Sequence, residues 1–296
     1  MYVSVMASLT AVDSETRRAL LVLSAVLIDV TNVTERAVRY INVTAPTSGS
    51  VLSRLFEAAG DVDAPRHVID ATLLAEYAVI SACDHARAFA ALLRTPRLPG
   101  TAIVTLTRAA LESLARARWV AQDLDLGTLL HRTLSLLHGD LRHPENFGEQ
   151  LTTRDGMPVS PAAKRAEFRA ELARLSLPAP SKVEITSLVS EMVAQDIAHQ
   201  EAKQLYSLLS SVAHGHRAGI NAFITTSADS GVLGMSARIP VVTELATQLG
   251  VTLLQTTEAI LDWYGSAQAE FDRLDGAKQR VATRLSALPD VAFAPD

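Results

Sequence analysis

Apolar residues recur every three or four positions through most of this chain, which is the period of an α-helix and not of a strand. Ala19, Leu20, Val22, Leu23, Val26 and Leu27 carry the pattern in the first segment, which opens at Ser14 and Glu15 and runs towards Ile41. A turn-rich break follows over 42–50, then a short helix over 51–59 ended by Gly60 to Pro65. Two strong helices are expected over 67–93 and 101–122. The short connection through Pro96, Pro99 and Gly100 favours antiparallel packing of the pair. Further helices are read over 127–141, 161–175, 182–193 and 196–214, and a last one over 241–285 with a kink at Gly250. Residues 143–160 hold Pro144, Gly148, Gly156 and Pro158 and few aliphatics, so they read as a long loop, a lid or a linker. The single β-like stretch is 220–239, where β-branched residues flank a turn cluster, and it reads as a small hairpin. The expected fold is all-α: a multi-helix bundle with long antiparallel helices and one small β-hairpin-like insertion.

Composition narrows the function classes. With 296 residues, 48% of them hydrophobic, the chain has material for a full core. Aromatics at 5% argue against a β-sandwich or propeller. Cys83 is the one cysteine, so neither a disulfide framework nor a cysteine-based zinc site is available. A net charge of −5 offers no general attraction to nucleic acid. The most apolar run, 19–28, is half the length a membrane span needs, about twenty residues. No targeting segment stands out, and a cytoplasmic protein is the expectation. Signatures of P-loop, Rossmann, zincin and serine-hydrolase sites are missing, and no cofactor or metal is expected.

Three constellations carry possible chemistry. In the first, Tyr206, Ser210 and His214 stand at i, i+4 and i+8 of one helix, with Lys203 and Arg217 extending the face. A polar stripe on so apolar a helix needs partners. It reads as the wall of a polar pocket with His214 as general acid/base, or as core residues satisfied internally. The second is Arg108 and Glu112, spaced i,i+4 with Arg116 further on; it reads as a surface ion pair or as a guanidinium fork for a carboxylate or phosphate. The third is Asp84 and His85, which point about 100° apart on a helix. Asp84 reads as a partner of Arg87 or of an arginine on the neighbouring helix, and in the latter case it joins Arg108 and Glu112 in a charge network across the hairpin, structural or catalytic. Asp140 with His143 and Asp196 with His199 have spacing that di-iron helices use, with Glu76 or Glu112 as further ligands. Against a metal, His143 precedes Pro144 in the loop and Asp196 reads as a helix N-cap.

The stretch LYSLLSSVAHG, from Leu205 to Gly215, resembles the terminal-helix signature of the HEPN superfamily. The segments CDHARAFAALLR and TRAALESLARARWV look like its preceding helical hairpin. The resemblance implies a main bundle over 63–296 behind an N-terminal helical extension over 1–62, with one continuous domain as the alternative. It also implies a homodimer whose paired R-x4-6-H motifs cleave RNA. His214 would match the motif histidine, but no arginine lies between Arg174 and Arg217, and Arg217 follows both histidines. The group that would stabilise charge on the reacting phosphate is missing from its place.

Three functional readings follow. The first is a pocket for a small, anionic molecule, with His214, Tyr206 and Glu112 in catalytic roles and Arg108, Ser210, Asp84, His85 and Arg217 binding substrate. The second is a HEPN-like homodimer that cleaves or binds RNA. The third is a catalytically silent helical protein that binds a partner.

Overall fold

The structure is a computed structural model that describes residues 13–96, 98–152, 156–221, 223–226, 233–235 and 237–293. Helices dominate it, as the apolar period requires. Helix α1 spans Ser14–Val43, α2 Val51–Asp61, α3 Pro65–Leu92, α4 Gly100–Val120 and α5 Leu126–Asp140. Then come α6 Arg142–Asn146, α7 Pro161–Arg174, α8 Ile185–Val193, α9 His199–Ala213 and α10 Arg217–Asn221. The chain closes with α11 Ile239–Tyr264, α12 Gln268–Ser286 and a 3-10 turn at Asp290–Ala292. Two antiparallel pairs interrupt the helices: β1 Leu151–Thr152 with β2 Pro158–Val159, and β3 Ile224–Thr226 with β4 Leu233–Met235.

Local chemistry sets the helix starts. The side chains of Asp13, Ser50, Asp125 and Ser160 each accept a hydrogen bond from a backbone N–H in the first turn of α1, α2, α5 and α7. These caps satisfy amides that have no partner within the helix. Pro65 and Pro161 stand in first turns, where a missing N–H costs nothing.

Packing follows from the apolar faces. Helices α3 and α4, joined by a short connection, form the central hairpin. Helix α1 lies against α3, α11 and α12, while α4 also packs on α8, α9 and α11. Leu20, Leu23, Val26 and Leu27 of α1 are fully buried, and they share one core with residues of α3, α4, α9 and α11. Buried residues of α1 and α2 thus belong to the same core as those of the later helices. A small satellite core of Leu134, Phe168 and Leu172 holds α7 on α5. Ion pairs add to the edges: Asp29 of α1 accepts from Arg280 at 2.9 Å and Arg284 at 2.7 Å, both on α12.

Three expectations change. The last long helix does not kink at Gly250, which stays inside α11; it breaks at Gly265, whose φ of 69° closes α11 in the left-handed region. Residues 143–160 are not one open loop, since they contain α6 and the β1–β2 pair. Asp196 does not cap α9, which begins after Ala198; it accepts from Gln255 Nε2 at 2.6 Å instead. Among the described residues no helix is long and apolar enough to cross a membrane.

Candidate functional site

Helix α4 lies beside α9, and this contact joins two of the three constellations. Arg108 Nε donates to Glu112 Oε1 at 2.7 Å, one turn along α4. The Tyr206 hydroxyl of α9 donates to the same carboxylate oxygen at 2.7 Å. Arg108 Nη1 lies 3.1 Å from Nε2 of His214, the residue that caps the C-terminus of α9. The guanidinium also sits over the Tyr206 ring, 5.8 Å from its centroid. One arginine thus ties together a carboxylate, a phenol and an imidazole from two helices.

The network is partly shielded from water. Arg108 and Glu112 side chains are 19% and 29% exposed, and Tyr206 is buried. Burial works against the Arg108 charge, but the Glu112 carboxylate outweighs it and holds the guanidinium above its usual range. Burial pushes the Tyr206 phenol up, and the Glu112 hydrogen bond and charge push it further. His214 is exposed at the C-terminus of α9, and Gly215, with φ of 69°, turns the chain there so that α10 packs back on α9.

Against this network lies a cleft of about 610 Å³ between α8 and α9. Tyr206 and Ser210 line it with Lys203, Ser207, Ser211 and His199 of α9, and Thr186, Ser187, Ser190 and Glu191 of α8 face them. His216 closes the end after α9, its ring 5.9 Å from that of His214. The wall is therefore hydroxyl-rich, with a lysine and two histidines. Ser190 Oγ is buried at this wall and has no hydrogen-bond partner. An unpaired buried hydroxyl costs about 1–3 kcal/mol.

Several predicted residues take other places. The hollow is an open cleft and not an internal pocket, and His214, Arg108 and Glu112 sit behind Tyr206 without lining it. Arg217 is exposed at the start of α10. Asp84 is exposed and makes no hydrogen bond to Arg108 or Glu112, so the network expected across the α3–α4 hairpin does not form; it acts only through its charge on Arg87. Arg87 pairs with Glu35 of α1 at 2.8 Å. His85 is half-buried on α3, outside the cleft. The pairs weighed as metal ligands point elsewhere: Asp140 accepts from Arg116 at 2.8 Å, and the His143 ring packs on Phe147. Among the described residues no group of three or more potential ligands converges.

The α8 wall was missed. Its signal was present in the sequence: Thr186 with Ser190 and Ser187 with Glu191 are i,i+4 pairs, a polar stripe like that of α9.

The fold and the site define an all-α bundle that carries an open polar cleft between two of its helices. No family model, curated protein or solved structure matches the chain.

Proposed function

We propose that this chain binds a small anionic molecule in the cleft between α8 and α9. The carrying observation is the unpartnered Ser190 hydroxyl at a wall built of Lys203, two histidines and hydroxyls, with Glu191 as its one carboxylate. Lys203 has no acidic partner among the described residues, so its charge is free for an anion. Ser190 and Ser210 supply donors, and Tyr206 is held in place by Glu112. Where the ligand is also transformed, His199 and His216 are the imidazoles that line the cleft and can reach it, whereas His214 is held by Arg108 outside the lining. An open cleft next to Tyr206 favours this reading over a silent partner-binding bundle.

The test is thermal unfolding of the full chain with a panel of mono-, di- and tricarboxylates and phosphate monoesters. A ligand that binds only the folded state raises the midpoint. At least one class is expected to do so, with the shift reduced in Lys203→Ala and Ser210→Ala. A panel without effect, or variants that respond like the wild type, would refute the proposal.

One observation favours a second reading, the HEPN-like RNA-acting dimer. Arg108 of α4 lies next to the exposed His214, and in this reading it would stand in for the arginine absent from the motif. Incubating the wild type and His214→Ala with single-stranded RNA separates the two readings. Cleavage lost in the variant supports the second reading, and equal background in both removes it.

A further inference from the structure

A second cleft, of about 360 Å³, shares no lining residue with the first. Arg116 of α4, His138 and Asp140 of α5, Arg142 of α6, Arg165 of α7 and Lys182 before α8 converge on it. We propose that this cleft binds a multiply charged phosphate group, as carried by a phosphate monoester or a pyrophosphate-bearing small molecule.

Charge is the first argument. Asp140 pairs with Arg116, Glu145 with Arg165 and Glu184 with Lys182. Arg142 has no carboxylate partner among the described residues. Arg169 has none either, and its Nη1 is spent on His138 Nε2 at 3.2 Å. Four cations, Arg116, Arg142, Arg165 and Lys182, thus line the cleft with one carboxylate, Asp140, while Glu145, Glu184 and Arg169 stand outside the lining. Burial, then the charges of Arg165 and Arg169, hold the His138 imidazole below its ordinary range.

Unfilled hydrogen-bonding capacity is the second argument. Arg165 Nε is buried without a partner although the same guanidinium holds Glu145. A buried N–H of a charged group is costly to leave unpaired. Guanidinium forks approaching from α4, α6 and α7 match the several oxygens of a phosphate better than the two of a carboxylate. The volume suits a small molecule and is too confined for a protein segment or a duplex. Phe168 and Leu172 pin α7 to α5, and this brings Arg165 to the cleft.

Calorimetric titration of the full chain with pyrophosphate, and with inorganic phosphate as the weaker probe, tests the site. Saturable binding is expected. Arg142→Ala, at an exposed residue with no ion pair to lose, and Arg165→Gln should each weaken it by about tenfold or more. Arg39→Ala, an equal change of charge on α1, should leave it unchanged. Sedimentation with phosphoinositide vesicles distinguishes a lipid headgroup from a soluble phosphate: vesicle binding that pyrophosphate displaces supports the site with the lipid as source. Vesicle binding that pyrophosphate does not displace counts against it. No saturable heat with pyrophosphate, or wild-type affinity in both arginine variants, overturns the proposal.

Discussion

Arg108 Nη1 meets His214 Nε2 at 3.1 Å although 106 positions separate them in the chain. The contact exists because α4 and α9 pack side by side, and it makes Arg108 the hub between the bundle and the exposed end of α9. Glu112 and Tyr206 complete the hub from either side.

The hub's energetics are separable by mutation. Tyr206→Phe removes one hydrogen bond and is expected to cost about 1 kcal/mol in urea unfolding. Glu112→Gln leaves a half-buried guanidinium without its counter-ion and is expected to cost more, about 2 kcal/mol. The Tyr206 phenol is raised above its ordinary value near 10. A raised folded value means that its contribution is complete below that pH and disappears as the pH climbs through the folded value. The stability gap between wild type and Tyr206→Phe should therefore narrow at strongly alkaline pH; a constant gap would show that the phenol is not coupled to folding.

Glu76 of α3 follows the same sign in a lower pH range. It is buried, and burial raises its carboxyl above the ordinary value near 4.5 despite a hydrogen bond with Asn42. The folded chain holds this proton more tightly than the unfolded chain does. The stabilising contribution is thus present below the unfolded value and lost as pH rises through the folded one. Once the pH has passed the folded value, the ionised carboxylate weakens the fold. Glu76→Gln is expected to raise the thermal midpoint at pH 7 by about 2 °C, with the gain vanishing near pH 4. A lower midpoint at pH 7 would contradict this account.

Cys83 should be chemically silent in the native state. It is fully buried, and burial, then the nearby Glu35 carboxylate, push its thiol up to about 12. Ellman's reagent is expected to react only after denaturant unfolds the chain. Rapid native labelling would mean that α3 opens locally far more often than its core position implies.

Gly265 is the least replaceable glycine at a helix end. Its φ of 69° disfavours a side chain, and a Cβ would come within 2.5 Å of Ser50 Cβ. Gly265→Ala is expected to cost about 2–3 kcal/mol, whereas alanine at Gly60, where a Cβ meets nothing, should be nearly neutral or stabilising. Thermal unfolding of the two variants side by side makes the comparison.

Most helix boundaries were legible because they depend on neighbours in sequence. Asp125 and Ser160 cap helices that the apolar period had already placed. The break at Gly265 was misplaced to Gly250 because either glycine permits a bend, and only the approach of Ser50 fixes which one must turn. The α9 half of the cleft was visible as an interruption of an apolar face. The α8 half was not, because nothing local says which of two polar stripes faces the other.

The amino-acid order alone determined an all-α bundle, since burial of apolar residues at a 3.6-residue period leaves few alternatives. It also singled out Arg108, Glu112, Tyr206 and His214 as residues whose polarity needs an explanation. Only the tertiary structure decided that these four meet, that Asp84 does not join them, and that the hollow opens to solvent beside them. The physical reason is that side-chain periodicity is set within one helix, whereas the pairing of helix faces is set by the packing of the entire core.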